Sequence, residues 1–141
     1  NERLPQEWRE GEALRGQLSD HDVAELGWEF LTDDPDAVVD ALLRSMAQGA
    51  TAEQLGRALA LAAALRIVRF HTQNDHGDWD EVHHAFTAAN ALHQALLRAP
   101  TVEVLRGVYH GALRVYLDRF LNVPAARIQA LALDDLSGVP A

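Results

Sequence analysis

Apolar positions recur at helical spacing along most of this chain, and polar breaks with recognisable helix caps divide them into separate segments. Asp34-Pro35-Asp36 supplies an N-cap, a proline at the first helical position and an acid on the positive dipole end. The stripe Val38, Val39, Leu42, Leu43 and Met46 follows, and Gly49 is a natural terminator. Thr51-Ala52-Glu53-Gln54 reads as a capping box for a helix over about 52–71. Between Ala58 and Leu65 that helix is apolar nearly all round, so it is predicted to be central, with neighbours on every side.

Other segments flank it. Ser19 or Asp20 caps a helix to about Leu31 with Val23, Leu26 and Phe30 on one face. After a polar turn over 72–77, Asp78 and Glu81 form a second capping box for a helix that stops near Arg98, before Pro100. Thr101 caps the last long helix, which ends near Leu121; Gly107 and Gly111 cut a close-packing notch into one of its faces. Residues 1–20 read as a peripheral N-terminal segment, a short helix carrying Trp8 and broken by Gly11 and Gly16. The tail from Val123 carries short apolar contacts and little pattern. The expected fold is therefore all-α: a compact bundle of about five to six helices around the Ala/Leu-rich 52–71 helix, with 21–141 as one domain.

Composition narrows the function classes. A length of 141 residues with 48% hydrophobic content suits one domain with a real core. The net charge of −9 speaks against nucleic acid or an anionic membrane surface as the main partner. No cysteine is present, so thiol nucleophiles, zinc ribbons and cysteine-ligated clusters are excluded within these residues. The longest apolar run falls far short of the roughly 20 residues a membrane helix needs. A cytoplasmic location is the expectation, a homo-oligomer stays open, and the start at Asn1 fits a piece of a longer protein.

Candidate chemistry is concentrated between His71 and Gln94. Five of the seven histidines lie there, at 71, 76, 83, 84 and 93, interleaved with Asp75, Asp78, Asp80 and Glu81. At 100° per residue, Trp79, Val82, Phe86, Ala89, His93 and Leu96 share one face. His83, Thr87, Asn90 and Gln94 then form a polar seam along its edge. With His110 of the last helix, the residues His83, Asn90 and His93 are the candidates for acid–base or ligand-orienting work. Asp80 with His84, Asp80 with His83, and Glu81 with His84 are spaced to converge. With His71 or His76 they would make a His/carboxylate set suited to non-haem iron or zinc. Against this stand the single E-x-x-H of the chain, the capping duties of Asp78 and Glu81, and a dipole that opposes a cation at a helix start. Structural histidines satisfied by core hydrogen bonds are the competing reading. His21-Asp22 looks like the dyad of HD-type phosphohydrolases, but no histidine precedes it to complete that set, and a polar helix start explains it.

Three stretches carry a family resemblance: A-L-A-L-A-A-A-L-R-I-V-R-F-H (58–71), N-D-H-G-D-W-D-E-V-H-H-A-F-T-A-A-N-A-L-H-Q (74–94) and R-G-V-Y-H-G-A-L-R-V-Y-L-D-R-F-L-N-V-P (106–124). Over roughly 50–128 the chain resembles a helical domain of actinobacterial proteins of the Rieske iron–sulfur type. The resemblance implies a redox setting, with a [2Fe–2S] module elsewhere in a longer protein and no cluster bound by this chain. The partner would be that Rieske-type domain or a small ligand. G-A-T-A-E-Q-L followed by A-L-A-L-A-A-A is similar to the helical repeat of the AhpD/carboxymuconolactone-decarboxylase group. The C-x-x-C-x-x-x-H motif of its peroxidase branch is missing, so that activity is not carried over.

Overall fold

The computed structural model describes residues 2–126. Among them six α-helices form: α1 (Leu4–Glu10), α2 (Asp20–Glu29), α3 (Pro35–Ala47), α4 (Ala52–Val68), α5 (His76–Arg98) and α6 (Val102–Leu117). No strand forms among the described residues; Phe70 and Ala125 make an isolated antiparallel bridge. The all-α bundle expected from the patterning is the observed architecture. No described helix is long and apolar enough to cross a membrane.

Caps set the helix starts. Ser19 and Asp22 exchange side-chain and backbone hydrogen bonds in a capping box, and those bonds from Ser19 hold the Asp22 carboxyl below its ordinary range. Asp34 accepts from the Asp36 N–H at 2.9 Å with Pro35 in the first turn. Thr51 and Gln54 close the expected box at 3.1 and 2.9 Å, and Gln54 Nε2 also donates to the Leu18 carbonyl at 2.9 Å. That third bond ties the start of α4 to the segment before α2.

α4 packs against α2, α5 and α6, with Leu55, Ala58, Leu59, Ala62 and Ala63 buried. Small residues set the spacing, since every Cβ lost lets helix axes approach. A Cβ on Gly56 would lie 3.0 Å from the His93 Cα. Those on Gly107 and Gly111 would lie 2.7 Å from Leu92 Cδ1 and 2.6 Å from Leu59 Cδ2, so the notch expected on the last helix is filled by two leucines.

Three boundaries differ from the sequence expectation. α5 starts at His76, not after Asp78, because Asp75 takes an extended backbone and caps it. α4 ends at Val68, short of 71, and a 3₁₀ turn over Asp118–Leu121 replaces the last turn expected of α6. The N-terminal segment expected at the periphery contributes to the interior: Leu4 is fully buried. Gly11 sits so close to the end of α3 that a Cβ would lie 1.8 Å from the Met46 carbonyl oxygen. The Arg15 guanidinium stacks on Trp8 at 3.5 Å and donates to the Ala50 carbonyl at 2.7 Å, which clamps this segment over the α3–α4 turn.

Candidate functional site

His93 is half-buried between two helices. It lies on α5 against Gly56 of α4, its side chain is 18% exposed, and its Nε2 sits 3.3 Å from Glu53 Oε1. The same carboxylate oxygen meets Arg57 Nε at 3.5 Å, one turn along α4. Glu53 also borders a cavity of about 320 Å³ with Trp8, Ala52, Leu96, Leu97 and Pro100 among its walls.

The rest of the expected polar seam faces outward. His83 and Asn90 are exposed, as are Thr87 and Gln94. The His83 ring lies tilted against Trp79 at 5.5 Å, and Trp79 meets Phe70 edge-on at 5.2 Å. Thr87 turns its hydroxyl back to the His83 carbonyl at 3.0 Å. The physical reason is the placement of α5 on the outside of the bundle, where only Val82, Ala89 and Leu96 are fully buried. A stripe this narrow leaves residues along its edges in water. His110 is also exposed, with its ring 5.3 Å from that of Tyr109. It borders a second cavity of about 250 Å³ with Leu59, Ala88, Leu92, Gly107, Gly111 and Arg114, and His93 is not among the walls.

The five candidate metal ligands do not gather around one point, and only two of them are paired with each other. His76 Nε2 and Asp80 Oδ2 lie 3.7 Å apart on the surface. Glu81 is turned toward α6 and pairs with Arg114. His71 Nδ1 accepts from the Gln73 N–H at 3.1 Å, while its own N–H donates to Asn122 Oδ1 at 3.2 Å. His84 is exposed. Among the described residues, the His, Asp and Glu donor atoms that gather within 4.8 Å are those of His21, Asp22 and Glu25, all on the surface. Asp22 is already engaged with Ser19 in the capping box of α2, so this trio reads as a helix start.

Sequence reasoning missed a buried ionic junction between α4 and the end of α6. Arg66 is 5% exposed and Asp118 1% exposed. Arg66 Nε donates to the Val115 carbonyl at 3.0 Å, and Arg114 Nε donates to Asp118 Oδ1 at 2.8 Å. Arg119 pairs with Asp33 at 2.5 Å and lies over the Tyr116 and Phe120 rings. Asn122 closes the junction, bonding Asn74, the His71 N–H and the Arg69 carbonyl. A signal was available: Arg66 continues the buried row Leu55, Leu59, Ala62, and Asp118 continues Ala112, Val115. A charge that extends a core stripe needs a buried partner.

Burial pushes the Asp118 carboxyl above its ordinary value against the pull of Arg114 and Arg66, and it lowers the Arg66 pKa. The folded chain therefore holds the Asp118 proton more readily than the unfolded chain does. The cost of burying this carboxylate is present at neutral pH and relieved as pH falls through the folded-state value toward 3.8. In urea unfolding, wild type should gain stability relative to Asp118→Asn over that window. A difference that stays constant with pH would remove this assignment.

Compared with protein-family models, curated proteins and solved structures, the chain matches none.

Proposed function

We propose that this chain is a non-catalytic helical module that docks a partner domain, with its histidines acting as structural contacts and surface groups. The observation that carries the reading is the dispersal of the imidazoles. His93 is tied to Glu53 and His71 to the turn before α5, while His76, His83 and His84 are exposed along α5 and His110 is exposed on α6. Acid–base catalysis and metal ligation both need such groups within reach of one bound species. α5 offers the natural docking surface, since most of its 23 residues are not buried by the bundle. The partner implied by the resemblance is a Rieske-type [2Fe–2S] domain of a longer protein.

A second reading keeps the histidines functional: an oxidoreductase-associated domain binding iron, zinc or a small ligand. The Glu53 carboxylate, held by His93 beside the cavity at Trp8 and Leu96, favours it. Elemental analysis of protein purified without a His-tag separates the two. The docking module should carry iron and zinc at background. Near-stoichiometric metal, lost in His84→Ala or His71→Ala, would overturn the docking reading in favour of the second.

A further inference from the structure

The junction of α4 and α6 contains polar atoms that the protein itself does not satisfy. Arg66 Nη2 and Asp118 Oδ2 are both buried and have no hydrogen-bond partner among protein atoms, although each residue uses another atom well. Arg66 Nε is anchored on the carbonyl of Val115, one helical turn before Asp118, so its guanidinium and the carboxylate are held at the same end of α6. They interact electrostatically without a direct bridge. Buried polar groups in folded proteins are almost always paired, with protein or with an internal water.

We propose that this junction is a binding site for one internal water molecule, which accepts from Arg66 Nη2 and donates to Asp118 Oδ2. The chemistry of the two groups selects the ligand. The junction's unpartnered atoms include the N–H donors Arg66 Nη2 and Arg119 Nε and the carboxylate acceptor Asp118 Oδ2, so an occupant between Arg66 and Asp118 must both accept and donate. An anion would face the Asp118 carboxylate and a metal cation the Arg66 guanidinium. Water fits, and it converts two separated buried charges into a linked chain, Arg66–water–Asp118–Arg114, that fastens α4 to the end of α6. This inference does not depend on whether the chain docks a partner or binds a ligand elsewhere.

Water-oxygen magnetic relaxation dispersion counts long-lived internal waters in solution. Wild type should show one more such water than Arg66→Met, which keeps most of the side-chain volume and removes the donor. Asp118→Asn, whose amide still offers a polar group, should retain the site and serves as the folded control if Arg66→Met is poorly folded. A high-resolution crystal structure should place a water within hydrogen-bond distance of both atoms. Equal water counts in wild type and Arg66→Met, a direct Arg66–Asp118 ion pair, or a chloride in that position would each overturn the proposal.

Discussion

Gly49→Ala should be among the most damaging single-atom-scale changes available in this chain. Gly49 has φ 92°, a left-handed conformation that costs an ordinary residue about 1–2 kcal/mol. Its added Cβ would also lie 2.1 Å from the carbonyl oxygen of Leu14, a backbone atom that cannot rotate away. Relieving that overlap means lifting the 3₁₀ turn Gly11–Leu14 off the end of α3, which disturbs the Gly16 N–H bond to the Gly49 carbonyl at 2.8 Å. The expected loss exceeds roughly 3 kcal/mol in urea unfolding. A loss below about 1 kcal/mol would show that the N-terminal segment yields freely and is not part of the core.

Arg66→Ala should cost a similar amount, about 3 kcal/mol, for a different reason. It removes the donor to the Val115 carbonyl, strips packing from the stem of a side chain that is 5% exposed, and leaves Asp118 buried with Arg114 as its remaining cationic partner. Opposite charges that share a buried site are costly to remove one at a time and cheap to replace together. The double variant Arg66→Met with Asp118→Leu should therefore recover most of the loss, giving strong non-additivity in a double-mutant cycle. Additive losses would mean that the two residues act independently.

Much of the fold was legible because capping chemistry is local. Asp34-Pro35, Thr51 with Gln54, and Thr101 each start the helix their side chains announce. The alanine-rich run of α4 likewise announced a helix with neighbours on several sides. The start of α5 was misread because Asp75 and Asp78 are both good caps, and periodicity alone cannot choose between them. In the N-terminal segment Gly11 ends the first helix as its sequence announces, but its close approach to Met46, which carries this segment onto α3, leaves no local signal.

The candidate site was less legible, and the reason lies in packing. A helical wheel gives the direction of a side chain but not how wide an arc its neighbours cover. For α5 the covered arc is narrow, so His93 is enclosed while Phe86 on the same predicted face is 37% exposed. His83 and Asn90, a little further round, are exposed. By sequence Arg66 is only a cation near the end of an apolar helix, and tertiary contact with α6 is what buries it beside Asp118.

The dispersal of the imidazoles can be tested directly by titrating the untagged chain with Zn²⁺ while following its histidine side chains by NMR. The account predicts shallow, independent responses of the exposed rings, with His93 the least affected. A sharp transition complete at one equivalent, moving His71, His76 and His84 together, would contradict it.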